Sequence, residues 1–261
     1  MQDLITYERR GQIALIGLNR PAKRNAFTVE MLRDLASAYG QYGRDASARC
    51  LVVHATGSDF CSGLDLSQSA DSLMVDGPKL FLTEGAIDPT GVATPRVPKP
   101  VISAIGGYCF TLGIELALAG DVVVASSSAR FGQLEVTRGI YAFCGATVRM
   151  PLAFGWGNAM RWLLTGDQFD AAEAHRIGLV QEVVELGSEL TRALEIAERI
   201  AAAAPLAVAA TLRSARRSVE HGPEAALRDL YPDAVALHAT ADAQLGIATY
   251  LDRKRPAFAG S

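Results

Sequence analysis

Residues 99–125 read KPVISAIGGYCFTLGIELALAGDVVVA, and this stretch contains several different patterns in succession. A β-branched apolar run at residues 101–105 predicts a buried strand, and the Gly-Gly pair after it predicts a turn. Residues 111–119 are apolar nearly all round, which predicts a short buried helix. A second β-branched run, at residues 122–125, predicts another strand. The order strand, turn, helix, strand indicates an α/β fold.

The same alternation continues toward the N-terminus. Apolar runs at residues 13–18 and 51–54 predict two earlier strands. Between them, residues 28–42 repeat apolar side chains at helical spacing, and Thr28 is a residue type suited to cap that helix. We therefore expect strands and helices to alternate through the first part of the chain.

The last third of the chain has a different character. From Asp170 onward the sequence is rich in Ala, Leu, Arg and Glu, which predicts a helical layer or subdomain. We expect a core over residues 1–200 and a helical region over residues 201–261. Residues 73–100 are rich in proline and glycine and have no assigned element, and a loop of that size is usually functional or mobile.

Composition bounds the possible partners and the location. The chain has 261 residues, 49% of them hydrophobic, and a formal net charge of -3, which gives no reason to expect binding to nucleic acid or to an anionic membrane. Residues 1–11 are charged and do not resemble a signal peptide. The apolar run at residues 200–212 contains a proline and is shorter than a spanning helix of roughly 20 residues. The four irregularly spaced cysteines predict buried free thiols, a cytoplasmic location and no structural metal.

Several common catalytic signatures are absent. The chain has no G-x-x-x-x-G-K-S/T, G-x-S-x-G or H-E-x-x-H segment, which argues against nucleotide hydrolysis and serine-hydrolase chemistry. Its four histidines are scattered over predicted strands and helices, and we assign them no catalytic role.

Glu115 is the carboxylate that the patterns single out, because it lies in the apolar helix predicted at residues 111–119. Burying a carboxylate is costly unless it is paired, neutralised or used in chemistry. A glutamate that reaches solvent or a salt bridge is the alternative, and the patterns alone leave it open. The first free N–H groups of this helix would point outward, with the positive end of the helix dipole behind them.

A second candidate segment follows the strand predicted at residues 51–54. Gly63 would let the backbone turn sharply within residues 60–66, although an ordinary loop would have the same composition. Cys61 is a weak candidate for a nucleophile, because no histidine is placed beside it.

Four segments of the chain resemble the successive motifs of the crotonase superfamily, in that family's order and spacing. They are residues 19–27 (NRPAKRNAF), 60–66 (FCSGLDL), 99–108 (KPVISAIGGY) and 131–135 (FGQLE), and the resemblance runs from about residue 12 to residue 258. It implies a repeated ββα spiral core and a helical C-terminal region that packs between subunits. It also implies a homo-trimer or a dimer of trimers.

The resemblance also implies an activity and a set of site residues. The oxygen of an acyl-CoA thioester would be held by the backbone N–H groups of Leu64 and Leu112, in an oxyanion hole that stabilises an enolate. Glu115 and Glu135 match the two glutamates of enoyl-CoA hydratases, which add water to a trans-2-enoyl-CoA to give a 3-hydroxyacyl-CoA. Which glutamate is the base and which the acid is left open. No cofactor is implied, because CoA is part of the substrate. Residues expected near CoA are Arg24, Ala26, Ser62, Gly63, Asp65, Leu66, Tyr250 and Arg253; for the last two, a solvated basic helix end is the alternative.

The chain departs from hydratases beside the second glutamate. Tyr141, Phe143 and Cys144 occupy a stretch where many hydratases carry proline and extra glycine, and Leu134 replaces a frequent proline. Bulkier side chains there would narrow or dry the water site. Two alternatives to hydration follow: a double-bond isomerase on the same fold, which needs one carboxylate, and a non-catalytic acyl-CoA-binding protein.

Overall fold

The computed structural model describes residues 3–68, 75, 77, 83–251, 253 and 256–261. Within them, nine strands form two sheets. The strands are β1 (Ile5–Arg10), β2 (Ile13–Leu18), β3 (Cys50–Ala55), β4 (Val101–Ile105), β5 (Tyr108–Phe110), β6 (Val122–Ser126), β7 (Arg130–Gly132), β8 (Gln168–Asp170) and β9 (Glu182–Val184).

The larger sheet has the order β1-β2-β3-β4-β6-β9, and all its neighbouring pairs are parallel except β1 with β2. The side chains of β2 and β4 are buried along the whole strand. A parallel sheet covered on both faces requires such continuous apolar runs, which is why these strands show no polar alternation.

The smaller sheet has the order β5-β7-β8. It is extended by two isolated bridges, one between Cys61 and Cys109 and one between Phe27 and Leu64. The chain thus places a strand in the large sheet, then an extended segment in the small sheet, then a helix. This succession is the repeated ββα unit expected from the resemblance.

The described helices are α1 (Val29–Arg44), α2 (Leu112–Ala119), α3 (Ala146–Phe154), α4 (Trp156–Thr165), α5 (Ala171–Arg176), α6 (Glu189–Ala202), α7 (Pro205–His221), α8 (Pro223–His238) and α9 (Ala241–Leu251). Thr28 caps α1, since its side chain accepts a hydrogen bond from the Met31 N–H at 3.2 Å. Helix α6 packs Ala193, Ala197 and Ala201 against one face of the large sheet. Helix α2 lies in the core on the other side.

The four strands predicted from β-branched runs are confirmed, as are the helix after Thr28 and the helical character of the last third. Residues 83–100 form turns and bends, and most of residues 73–82 lies outside the described part of the chain. The predicted boundary at residue 200 falls inside α6, and the division into two regions stays a prediction. All four cysteines are free and buried, as predicted. Among the described residues, no helix is long and apolar enough to cross a membrane.

Candidate functional site

Glu115 lies in the first turn of α2, whose side chains are nearly all buried. Only 2% of its surface is exposed. Its Oε1 atom accepts hydrogen bonds from the backbone N–H groups of Cys144 at 2.8 Å and Ala146 at 3.1 Å. The side chain therefore turns inward to a neighbouring loop, and the alternative of a glutamate that reaches solvent is excluded.

Burial raises the pKa of Glu115 to about 7, because a charged carboxylate loses its hydration in the core. The two backbone N–H groups and the nearby Arg149 guanidinium favour the charged form and oppose this rise, whereas the negative charge of Glu135 adds to it. A carboxyl group with this pKa can both take up and release a proton near neutral pH.

Glu135 begins a short 3-10 helix at Glu135–Arg138 and is also buried, with 8% of its surface exposed. Its Oε1 accepts a hydrogen bond from Gln133 Nε2 at 2.9 Å. Burial is the main cause that raises the pKa of Glu135. Glu135 Oε2 and Gln133 Oε1 are buried and have no hydrogen-bond partner among the described residues. Two acceptors without donors mark this point as a place where a donor such as water would be stabilised.

A cavity of about 250 Å³ adjoins Glu135 and Gln133. The rest of its lining is mostly apolar and consists of Val136, Tyr141, Ala142, Thr147, Met160, Leu163 and Leu164. Of the three bulky departures from the hydratase pattern, Tyr141 belongs to this lining and its side chain is largely exposed. Cys144 instead contributes its backbone amide to Glu115.

The backbone N–H groups of Leu64 and Leu112 lie on two segments that touch each other. A Cβ atom added to Gly63 would come within 2.1 Å of Thr111 Oγ1, so the residues just before the two leucines are in direct contact. Neither leucine N–H has a hydrogen-bond acceptor among the residues that the structure describes. The two donors therefore lie on adjoining segments and are available to a ligand.

Hydrogen bonds to neighbouring carbonyls fix the direction of both donors. The Phe27 N–H donates to the Gly63 carbonyl at 2.8 Å, and the Ile114 N–H donates to the Thr111 carbonyl at 2.9 Å. In a trans peptide the N–H points away from the carbonyl of the preceding residue. The hydrogen bonds accepted by the Gly63 and Thr111 carbonyls thus set the directions of the Leu64 and Leu112 N–H groups.

The backbone beside these donors is strained. Thr111 has φ of 49° and ψ of -113°, a conformation that costs a residue with a side chain about 1–3 kcal/mol. Gly63 has φ of 99°, where glycine is tolerated best. Such strain persists only where the surrounding structure imposes it, and here it accompanies the start of α2.

The residues expected near CoA form a second group beside these segments. The Arg24 guanidinium is largely exposed, 5.1 Å from the centre of the Tyr108 ring and 4.0 Å from Asp59. Ser62 is tied to this loop, since its N–H donates to the Arg24 carbonyl at 3.0 Å. Ala26 is half-buried and Leu66 is exposed in the same region.

Asp65 has a structural partner that the sequence did not indicate. Its carboxylate accepts hydrogen bonds from Arg20 at 2.9 Å and from the Ser67 hydroxyl at 2.6 Å, and both interactions lower its pKa. Asp65 thereby links the first motif to the second.

Tyr250 and Arg253 lie at the end of α9 and just beyond it, and the Arg253 N–H donates to the Tyr250 carbonyl at 3.1 Å. Both side chains are exposed. Among the described residues, no hydrogen bond or ion pair joins either of them to the segments that carry Arg24 and Glu115, so their predicted role stays untested.

Two functional supports were missed from the sequence. Asn25 is fully buried at φ 53°, accepts from the Arg20 N–H at 2.7 Å, and donates to the carbonyls of Thr56 and Asp59. An asparagine inside a turn-like segment is a residue type that tolerates this conformation, which was the one available signal. Arg149 donates to the carbonyls of Cys144 at 3.2 Å and Thr90 at 2.5 Å, and no sequence pattern marks it.

Comparisons with known proteins agree with this arrangement. The family model for enoyl-CoA hydratase/isomerase matches residues 8–261. The enoyl-CoA hydratase EchA19 of Mycobacterium tuberculosis is 33% identical over 255 residues, covering 96% of this chain and 94% of that protein. The 2,3-dehydroadipyl-CoA hydratase of Escherichia coli is 33% identical over 265 residues, covering 100% of both chains.

Solved structures show the same relationship. A probable enoyl-CoA hydratase/isomerase from Mycobacterium abscessus is 48% identical, with a TM-score of 0.95 and 99% of each chain covered. An enoyl-CoA hydratase from Mycobacterium tuberculosis is 33% identical, with a TM-score of 0.87 and 100% of both chains covered. The sheet order, the buried glutamates and these similarities agree, and the chain belongs to the enoyl-CoA hydratase/isomerase family of the crotonase superfamily.

Proposed function

We propose that this protein adds water to a trans-2-enoyl-CoA to give a 3-hydroxyacyl-CoA, with Glu115 and Glu135 as its acid/base pair. The observation that carries the proposal is a pair of buried carboxylates, in which the charge of Glu135 raises the pKa of Glu115 and Glu135 lines a mostly apolar cavity. An isomerase needs one such group, whereas water addition can use two, since one carboxylate takes a proton from water and the other carboxyl group gives a proton to the substrate.

The proposed oxyanion hole consists of the Leu64 and Leu112 N–H groups. Both are fixed in direction, both lack a described acceptor, and the second lies at the positive end of the α2 dipole. Negative charge on the thioester oxygen increases as an enolate forms, so donors placed there stabilise the transition state more than the ground state. Each such donor is typically worth about 3–4 kcal/mol.

The reaction follows from these two elements. A water molecule between the glutamates attacks Cβ of the enoyl group while one carboxylate takes its proton. The electron pair of the double bond moves to Cα and the thioester oxygen, where the two N–H groups hold it. The other carboxyl group delivers a proton to Cα and restores the thioester. The unpartnered oxygens of Glu135 and Gln133 support a water site at this position.

We propose that CoA binds along the segments that carry Arg24, Ala26, Ser62, Gly63, Asp65 and Leu66. The exposed Arg24 guanidinium is suited to a phosphate group. Because Asp65 is already bonded to Arg20, its part is to shape the loop. Tyr250 and Arg253 remain proposed CoA contacts, from the same subunit or from a neighbour.

Two further proposals concern the state of the protein. The unpaired, buried cysteines support a cytoplasmic location. Exposed apolar side chains on the C-terminal helices support a homo-trimer or a dimer of trimers.

The test is to mix the purified protein with short- and long-chain trans-2-enoyl-CoA and to follow loss of the conjugated thioester absorbance. Wild type should consume the substrate. Glu115→Gln and Glu135→Gln should each lower kcat by roughly 10²- to 10⁴-fold. Glu198→Gln, which changes an exposed glutamate on α6, is the matched control and should leave kcat unchanged. Absence of consumption despite binding of CoA thioesters would refute the proposal.

A further inference from the structure

Cys61 is fully buried between the two segments that carry the proposed oxyanion donors. The Gly63 N–H donates to its sulfur, with an N···S distance of 3.2 Å. A Cβ atom added to Gly113 would lie 3.1 Å from Cys61 Cβ, so the two chains are in close contact here.

These two glycines are the sequence neighbours of the two proposed oxyanion donors. Gly63 directly precedes Leu64, and Gly113 directly follows Leu112. The Cys61 sulfur therefore binds the amide that precedes one proposed donor, and the Cys61 side chain packs against the glycine that follows the other. The backbone of Cys61 adds to this tie, because its N–H donates to the Tyr108 carbonyl and its carbonyl accepts from the Phe110 N–H, both at 2.9 Å.

The Cys61 thiol is uncharged, which suits a hydrogen-bond acceptor in the core. Burial raises the pKa of Cys61 to about 12, so it stays uncharged at neutral pH and is no nucleophile. A neutral sulfur is a weak acceptor of hydrogen bonds, and its bond from the Gly63 amide orients the backbone without adding charge beside the thioester oxygen.

We propose that Cys61 is a positioning residue, whose side chain binds the Gly63 amide and packs against Gly113 so that the Leu64 and Leu112 N–H groups converge on the thioester oxygen. This inference rests on the proposed oxyanion hole, and it adds a fully buried residue outside the acid/base pair.

The test uses 4-(dimethylamino)cinnamoyl-CoA, a conjugated thioester whose absorption moves to longer wavelength when its carbonyl is polarised. Binding to wild type should produce this shift. In Cys61→Ala the shift should become smaller, and kcat for an enoyl-CoA should fall about tenfold with KM within about twofold, since the donors are misaligned and not removed. Cys61→Ser keeps an acceptor and should restore most of both.

Cys50→Ala is the matched control, because it removes another fully buried thiol, in β3. It should lower thermal stability without changing the spectral shift. A full shift and full kcat in Cys61→Ala would overturn the positioning role while leaving the hydratase proposal intact. A wild type that binds the probe without any shift would overturn the oxyanion hole itself. If the alanine variant does not fold, loss of the shift in a folded Cys61→Ser would contradict the proposal.

Discussion

The proposed chemistry depends, at the scale of single residues, on a carboxylate whose charge is disfavoured by burial and favoured by its polar neighbours. Burial disfavours the charge of Glu115, whereas two backbone amides and Arg149 favour it. The pKa of about 7 that results suits proton transfer near neutral pH, but it makes the folded protein less stable when the group is ionised.

Glu115→Gln should stabilise the protein more as pH rises. The pKa of Glu115 is raised from 4.5 to about 7 on folding, so the cost of ionising it is absent below the lower value and fully present above the higher one. That cost is about 3 kcal/mol. Melting temperatures at pH 5 and pH 8.5 measure the effect, with Glu198→Gln as the control. A gain for Glu115→Gln that is the same at both values would contradict the raised pKa.

Prediction from sequence was uneven at this scale. Glu115 stands out because a carboxylate in an apolar helix has few explanations. Glu135 could be identified only through the family resemblance, since its surroundings show no comparable contrast. The hydrogen-bond partners of Asn25 and Arg149 are backbone groups, which any sequence supplies, so their roles could not be read from residue types.

The loop from Ala142 to Ala146 is the element that connects Glu115, one of the proposed acid/base residues, to the rest of the fold. It provides two amides to Glu115, and Arg149 fixes its Cys144 carbonyl while reaching the Thr90 carbonyl in another loop. The position of Glu115 thus depends on an arginine one turn into α3.

Arg149→Met should shift the pH dependence of activity. Loss of the guanidinium removes a cation that lowers the pKa of Glu115, so the limb of the kcat/KM profile that reports this group should move to higher pH. Two carbonyls also lose a donor, which should destabilise the protein by roughly 2–4 kcal/mol. Arg149→Lys keeps the charge and should keep the limb near its wild-type position. A methionine variant with the wild-type profile would refute this coupling.

Helices and strands were predicted where their sequence pattern is long and differs clearly from the flanking residues. The runs that became β2, β3, β4 and β6 were found, whereas β5, β7, β8 and β9 have only three residues each and are too short to show a period. β1 was missed because half of it is an exposed, charged edge. Helices α3 and α4 were missed because Pro151 lies inside one of them and Gly155 and Gly157 mark the start of the other.

For the whole molecule, the C-terminal helices expose an apolar stripe. Leu227, Tyr231 and Val235 recur at four-residue spacing on α8, so they share one face, and all three are exposed. Such a face is typical of a protein interaction surface. It fits the predicted role of this region in subunit contacts, which a single sequence could suggest only through the resemblance.

Replacing Leu227 and Tyr231 together by aspartate should weaken the assembly. Two charges at an apolar contact lose hydration without gaining partners, so the trimer or hexamer should dissociate at concentrations at least about tenfold higher than for wild type. Sedimentation velocity over a dilution series measures this change. Leu186→Asp, at an exposed apolar residue before α6, is the control. A wild type that sediments as a monomer at all concentrations would contradict the proposed assembly.

The most direct test of the two-glutamate mechanism is turnover of a trans-2-enoyl-CoA in water enriched with a heavy isotope of oxygen. The masses of the products are measured by mass spectrometry. We expect one heavy oxygen atom in a 3-hydroxyacyl-CoA formed by wild type, and almost no such product from Glu115→Gln or Glu135→Gln. The contradicting result is a product that has the same mass as the substrate, contains no heavy oxygen and has its double bond at a new position. That product would indicate an isomerase.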